Sequence, residues 1–409
     1  MTKLTENAIE AYAIELFQQQ GYSYLYGPDI SPDGDTPERQ SYQDVLLVGR
    51  LERALHRINP HIPPALLQIA LKDVLRNHSP ELLANNEAFH RLLTEDVNVS
   101  HHQDGAERGE VVWLIDYANP DNNEFVIANQ YMVIENHQNK RPDLVVFVNG
   151  IPLVVIELKN ATDENATIKS AYQQLETYKQ TIPSLFVSNA FLVISDGLEA
   201  KAGSLSAGLT RFMSWKTADG KSEASHLVSQ LETLIKGMLN KATVLDLVRH
   251  FIVFEKTRKE DPNTGIISIH TVKKVAAYHQ YYAVNAAVKS TLRAADREDA
   301  IQENPAAYGL PSVKQQPRGD KKAGVVWHTQ GSGKSLSMVF YTGKIVLAMA
   351  NPTVLVITDR NDLDDQLFDT FASASQLLRQ EPVQADSRQK LKDLLRVGSG
   401  GVIFSTIQK

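Results

Sequence analysis

The chain has 409 residues, of which 43% are apolar and 22% charged, with a formal net charge of -6 and no cysteine. That length suffices for two or three domains, each with its own core. The missing cysteines exclude disulfides and thiolate metal sites, no run of about 18 apolar residues offers a membrane span, and the acidic balance argues against wholesale coating of nucleic acid while leaving room for a local basic groove.

The opening "MTKLTENAIE" lacks the charged-then-apolar layout of a secretory signal, so a cytoplasmic location is expected. Over residues 4 to 19, Leu4, Ile9, Ala13, Leu16 and Phe17 recur near helical spacing and Gly21 supplies a stop, which predicts an amphipathic helix. After the loop "GPDISPDGDTPER", helices are expected over 41 to 57 and 62 to 76, separated by the prolines of "NPHIPP". The β-branched and aromatic runs "EVVWLIDY" and "EFVIANQYMVIE", broken by "ANPDNN", read as strands. His101-His102 reads as an exposed loop pair.

The stretch "RPDLVVFVNGIPLVVIELKN" is two apolar runs around Asn149-Gly150, a strong hairpin signal. A helix through "NATIKSAYQQLETYKQ" and a strand at "AFLVISDG" complete a compact α/β domain over residues 1–210. Residues 211–270 read as a helical connector with loops at "KTADGKSE" and "KEDPNTG". Residues 271–409 then give a helix at "VAAYHQYYAVNAAV", the loop "YGLPSVKQQPRGDKK", a strand through "AGVVW", a glycine-rich loop, a helix and the strand "TVLVITD", the order in which a parallel α/β domain begins. Trp113, Trp215 and Trp327 sit among apolar neighbours and read as core.

Two stretches carry chemistry. Asp143, Glu157 and Lys159 interrupt otherwise apolar strands, where a charge is costly unless it is paired or holds a metal. Carboxylates are hard ligands suited to Mg²⁺, and an ammonium beside them can steady a phosphate. Glu157 and Lys159 share a strand face. A two-residue turn at Asn149-Gly150 would set Asp143 opposite Ile156, whereas a three-residue loop through Ile151 would set it opposite Glu157; the chemistry favours the second register. The bland alternative is a solvated pair at a strand end. On the next helix, Gln174 and Tyr178 are four apart and share a face.

The second stretch is "HTQGSGKS", residues 328 to 335. His328 stands where the P-loop pattern has its first glycine, but Gly331 and Gly333 remain to turn backbone N–H groups toward phosphate, with Thr329 and Ser332 between and beside them. Lys334 can reach the outer phosphates, and Ser335 can hold Mg²⁺. This predicts ATP binding.

The first stretch, taken with "QQLETY", resembles the PD-(D/E)xK nuclease domain of type I restriction enzyme R subunits (HsdR), and "YGPDI", "LVISDG", "YHQYYAVNAAV", "VVWHTQGSGKSLSM" and "VITDRNDLDDQL" resemble further segments of that family in order. The resemblance implies a restriction-endonuclease-like mixed sheet with flanking helices, followed by an incomplete RecA-like parallel α/β domain. It also implies that Asp143 and Glu157 bind catalytic Mg²⁺, that Lys159 orients water or steadies the phosphate, and that Gln174 and Tyr178 support the site or the DNA. Glu10 is the candidate further acid from the first helix, with Glu6 and Glu15 as competitors. Gln280 resembles the adenine-reading glutamine of superfamily 2 helicases, while "TDRNDLDDQ" and "IFSTIQK" resemble segments that contact the DNA track.

The implied activity is that of a type I site-specific deoxyribonuclease, which cuts unmodified double-stranded DNA with Mg²⁺ and couples cutting to ATP-driven translocation. Its partners would be DNA and the methyltransferase and specificity subunits, with S-adenosylmethionine only on the methyltransferase and no membrane involved. No DEAD-like sequence follows the cradle within these 409 residues, so no DNA-stimulated ATPase is expected of them alone. The rival expectations are a freestanding nuclease with a vestigial P-loop and a non-catalytic docking fragment.

Overall fold

A computed structural model of the chain describes residues 5–103, 106–160, 167–260, 265, 267–297 and 317–408. Leu4, most of "KEDPNTG" and the greater part of "YGLPSVKQQPRGDKK" lie outside them. The chain divides into two compact units, Met1–Arg249 and His250–Lys409. Among the described residues no helix is long and apolar enough to cross a membrane.

The first unit runs α1 (Glu6–Gln19), β1 (Ser23–Tyr26), α2 (Val48–Ile58), α3 (Pro64–Val74), α4 (Leu82–Thr94), β2 (Val97–Gln103), β3 (Ala106–Val112), β4 (Phe125–Asn129), β5 (Val133–Glu135), β6 (Gln138–Lys140), β7 (Leu144–Val148), β8 (Ile151–Leu158), α5 (Ile168–Thr181), β9 (Phe191–Ser195), β10 (Ala200–Gly203), α6 (Gln230–Gly237) and α7 (Lys241–His250). In α1 the Thr5 hydroxyl accepts the Ala8 N–H as N-cap, and Ile9, Ala13, Leu16 and Phe17 are the buried face, as their spacing predicts. Helix α2 starts later than expected. The Asp44 carboxylate accepts the Ser41 N–H at 2.9 Å, and the Leu47 N–H donates to the Gly150 carbonyl at 2.9 Å, so residues 41 to 47 form a turn seated on the hairpin.

Helix α4 was not expected, because Asn85, Asn86, Glu87 and His90 occupy its buried face and mask the apolar period. His101 and His102 lie within strand β2 of the β2–β3 hairpin rather than in a loop. The strand expected through "EVVWLIDY" stops at Val112. Both backbone groups of Trp113 are taken by the Asn59 side-chain amide, whose Oδ1 accepts the Trp113 N–H and whose Nδ2 donates to the Trp113 carbonyl, each at 2.9 Å.

Six strands make a mixed sheet in the order β1-β4-β7-β8-β9-β10, with β1 parallel to β4, β8 parallel to β9 and the remaining neighbours antiparallel. Strands β7, β8 and β9 are buried along their whole length, as strands covered on both faces must be. Val145, Val155, Leu192 and Ile194 join Ala171, Leu175 and Tyr178 of α5 in one core cluster, which places that helix against this face of the sheet. Residues 211 to 270 are not uniformly helical: they hold α6, α7, β11 (Ile252–Glu260) and the start of β12 (Ile267–Val275), which pairs antiparallel with β11.

In the second unit, α8 (Tyr278–Ala294), α9 (Lys334–Ala348), β13 (Val354–Thr358), α10 (Asn361–Ala372), α11 (Ser375–Leu378), β14 (Val383–Gln384), α12 (Arg388–Leu394) and β15 (Val402–Thr406) follow that hairpin. The strands form an all-parallel sheet in the order β13-β15-β14, the arrangement of a RecA-like P-loop region. The strand expected through "AGVVW" is not formed: residues 323–327 carry no sheet ladder, and Val325 and Trp327 are 90% and 91% exposed. An apolar run becomes a strand only where a neighbour's free edge accepts its backbone bonds. Of the three tryptophans read as core, only Trp215 is fully buried; Trp113 is half-buried and Trp327 lies on the surface.

Candidate nuclease site and phosphate loop

The β7–β8 hairpin decides where the acidic residues meet. Val148 pairs with Ile151 across Asn149 and Gly150, whose φ angles of 52° and 79° are those of a two-residue hairpin turn. Taken alone that turn would put Asp143 opposite Ile156. The register then shifts between Val146 and Phe147: Phe147 pairs with Pro152, but Val146 pairs with Val154. Leu153 is the extra residue of a β-bulge. Beyond it Leu144 pairs with Ile156, so Asp143 comes opposite Glu157. The register favoured by the chemistry is therefore present, through a bulge rather than through a three-residue loop.

Gly150 cannot be replaced without strain. Its φ is positive, and a Cβ there would come 2.5 Å from the Leu47 carbonyl oxygen. Gly150→Ala is expected to destabilise the fold by about 2 kcal/mol or more, read as a lower urea midpoint with unchanged slope.

Asp143 and Glu157 are 7% and 0% exposed. Asp143 Oδ2 accepts the Leu158 N–H at 2.7 Å, tying the carboxylate across the hairpin. Glu157 Oε1 accepts from Lys159 Nζ at 2.7 Å, and Lys159 also donates to the Leu158 carbonyl at 3.0 Å. Burial raises the Asp143 pKa to about 6, against the lowering pull of the Leu158 N–H and of Lys159. Burial and then the Asp143 charge raise Glu157 to about 8. For Lys159 burial alone would depress the pKa, but the Glu157 charge and hydrogen bond hold it above the ordinary value.

Among the described residues, Glu157 Oε2 is buried with no hydrogen-bond partner, and no three His, Asp or Glu side chains stand at metal-holding spacing. Two paired carboxylates, one with a bare buried oxygen, suit a hard cation in chemistry.

On α5 the Gln174 amide donates to the Tyr178 hydroxyl at 2.5 Å. Tyr178 is 3% exposed and its hydroxyl donates to the Arg141 carbonyl at 3.5 Å; burial first, and then the Glu157 charge, raise its pKa. Of the α1 glutamates, Glu6 lies 3.9 Å from Lys159 Nζ, whereas Glu15 is exposed and accepts from Gln19. Glu10 accepts Asn129 Nδ2 at 2.7 Å and Gln130 Nε2 at 2.8 Å. Sequence reasoning did not pick out Asn129 and Gln130; two amides at a strand end carry no signal of their own.

In the second unit Gly331 and Gly333 take φ angles of 79° and 77°, and Lys334 opens α9 directly after Gly333. Lys334 Nζ folds back onto the His328 and Thr329 carbonyls, each at 3.0 Å, and Ser332 Oγ donates to the Thr329 carbonyl at 2.8 Å. Ser335 is exposed on the first turn of α9. Gln280, 5% exposed, accepts the Ala277 N–H through Oε1 at 2.9 Å and donates Nε2 to the Gly333 carbonyl at 3.0 Å, so its amide is spent on its own helix start and on the loop. Burial, then His279 and Lys334, lower the His328 pKa.

Residues 3–211 match the family model described as the type I restriction enzyme R protein N terminus. The chain belongs to the type I restriction enzyme R protein family. Residues 279–409 of this R-family chain match the model described as SWI2/SNF2 ATPase. Over 99% of its length the chain is 40% identical to the type I restriction enzyme HindI endonuclease subunit of Haemophilus influenzae, covering 36% of that protein. Over its whole length it is 32% identical to the putative type I restriction enzyme MjaIXP endonuclease subunit of Methanocaldococcus jannaschii, covering 37% of that one. The chain thus spans little more than a third of the length of these two relatives. The nuclease constellation falls inside the first matched segment, and Gln280 and the phosphate loop inside the second.

Proposed function

We propose that this chain is the DNA-cleaving and ATP-binding part of a type I restriction R subunit, acting on unmodified double-stranded DNA with Mg²⁺ and, in complex with methyltransferase and specificity subunits, coupling cutting to ATP-driven translocation. The observation that carries the reading is the Leu153 bulge, which brings Asp143 opposite Glu157 with Lys159 bonded to the latter. In this reading Asp143 and Glu157 hold the Mg²⁺, whose charge supplies stabilisation of the phosphate and activation of water. Lys159 steadies the scissile phosphate. Gln174 and Tyr178 line the site, and Glu10 faces it from α1. The domain reading that goes with it is a nuclease domain in the first half of the chain and the opening part of a RecA-like motor domain from about residue 271, so limited proteolysis is expected to leave a resistant fragment ending between about residues 200 and 270.

The test is conversion of supercoiled DNA by the purified chain with Mg²⁺. Nicking that stops on chelation and on loss of Asp143 supports the nuclease; no nicking under any divalent cation favours the docking fragment. On the nucleotide side, Thr329, Gly331, Ser332, Gly333, Lys334 and Ser335 would cradle the phosphates and Ser335 a bound Mg²⁺, with Gln280 behind the loop. Lys334→Ala is expected to weaken binding of a fluorescent ATP analogue about tenfold or more, since a charge-assisted hydrogen bond to phosphate is worth ~1.5–3 kcal/mol. Unchanged affinity would leave the loop vestigial.

A further inference from the structure

We propose that His279 and Gln280, on the first turn of α8, are positioning residues that preform the phosphate loop for a polyphosphate chain by holding two successive loop carbonyls away from it. The proposal rests on the ATP-binding reading above. His279 Nε2 lies 3.1 Å from the Ser332 carbonyl, which can only accept, so the ring nitrogen donates. Gln280 Nε2 donates to the Gly333 carbonyl at 3.0 Å. Neighbouring residues of the helix thus take neighbouring carbonyls of the loop. In a planar trans peptide the N–H points opposite to the C=O, and among the described residues no peptide bond is cis. With the Ser332 and Gly333 carbonyls drawn to α8, the Gly333 and Lys334 N–H groups face the other way, as an anion site requires.

The glycines make such holding necessary. The freedom that lets Gly331 and Gly333 take positive φ also lets the Ser332–Gly333 peptide flip and set a carbonyl lone pair against a phosphate. Fixing the peptide removes that alternative before a ligand arrives. Both α8 side chains are themselves fixed. Gln280 Oε1 accepts the Ala277 N–H at 2.9 Å, so Nε2 is the end of the amide that faces the loop. The His279 ring packs edge to face with Tyr278 and with His328, each pair with centroids 5.5 Å apart. A Cβ on Gly333 would come 2.7 Å from Gln280 Nε2, so the close approach depends on glycine. The Gly333 carbonyl also accepts the Ser337 N–H at 3.0 Å as part of α9, whereas Ser332 lies before that helix, which makes His279 the more decisive of the two. Lys334 Nζ bonds a different pair of carbonyls, those of His328 and Thr329.

The experiment is calorimetric titration of the 409-residue chain with ATP and, separately, with inorganic tripolyphosphate, which has no base, both in Mg²⁺. His279→Phe keeps a ring against Tyr278 and His328 and removes the donor; it is expected to weaken ATP and tripolyphosphate alike by about fivefold, the effect of one lost hydrogen bond. His279→Gln carries an N–H donor near the place of Nε2 and should restore both affinities, which packing alone would not do. Unchanged tripolyphosphate affinity in His279→Phe, or an equal loss in His279→Gln, would overturn the positioning role. If His279→Phe does not fold, Gln280→Met decides: tripolyphosphate binding should fall together with ATP binding, and a loss confined to ATP would make Gln280 a reader of the base and sink the proposal. Lys334→Ala separates the two levels of inference: if it leaves tripolyphosphate affinity intact, the phosphate-loop assignment itself fails, whereas a failure of the His279 and Gln280 contacts to matter leaves Lys334→Ala defective.

Discussion

Asp143→Ala is expected to reduce DNA cleavage by about 10³-fold or more, the scale of several kcal/mol of charge stabilisation lost from the transition state. In the full-length complex proposed above, any ATP hydrolysis is expected to stay at the wild-type rate, because the phosphate loop belongs to the other compact unit. The alanine also leaves the Leu158 N–H without its acceptor, so a structural defect needs to be separated from a chemical one. Asp143→Asn makes that separation: its amide oxygen can still accept from Leu158, but the charge is gone. Conversion of supercoiled circles in Mg²⁺ should be lost in both variants, with the melting temperature preserved in Asp143→Asn. An asparagine variant that cuts at the wild-type rate would remove Asp143 from the site.

Glu157→Gln is expected to abolish cleavage and yet stabilise the metal-free fold, increasingly so as the pH rises. The folded-state pKa of Glu157 is raised to about 8 and that of Asp143 to about 6, both above their ordinary values. In that situation the folded state binds more protons than the unfolded one, so stability is fullest below the unfolded pKa, near 4, and is lost as the pH climbs through about 6 and about 8. Metal-free wild-type protein should therefore melt progressively lower from pH 5 to pH 8.5. Glutamine removes the second buried negative charge and should flatten that slope, with each kcal/mol recovered worth roughly 2–4 °C for a unit of this size. Added Mn²⁺ should raise the wild-type melting temperature most at high pH, where both carboxylates are ionised and free of protons. A wild-type profile that rises from pH 5 to pH 8.5 without metal would contradict the electrostatics of the pair.

Several elements were legible from local pattern alone. The 3.6-residue spacing of Ile9, Ala13, Leu16 and Phe17 specifies the buried face of α1, and Asn149-Gly150 specifies a two-residue turn because both positions need positive φ. Charges inside apolar strands pointed to Asp143, Glu157 and Lys159, since such charges need partners or a cation. The "GSGKS" run pointed to the loop before α9, where Gly331 and Gly333 do take left-handed conformations. These signals are local: each rests on the residue's own strand, turn or helix segment.

What the chain brings together from a distance was not legible. Turn chemistry by itself puts Asp143 opposite the wrong residue; the Leu153 bulge corrects it, and a bulge depends on how both strands pack in a sheet buried on both faces. Helix α4 hides its period behind buried Asn85, Asn86 and His90, of which Asn86 is satisfied by the carbonyls of Phe186, Val187 and Asn189, about a hundred positions away. The run "AGVVW" has strand composition but no ladder, because pairing depends on a neighbour's edge and not on the run itself. The sequence by itself thus determined which residue types carry charge and phosphate chemistry and the local geometry of their turns and caps. Only the tertiary structure decided that a bulge at Leu153, rather than a three-residue loop, sets Asp143 opposite Glu157 and that Asn129 and Gln130 bond Glu10, because strand packing and hydrogen bonds across more than a hundred positions leave no period in the sequence.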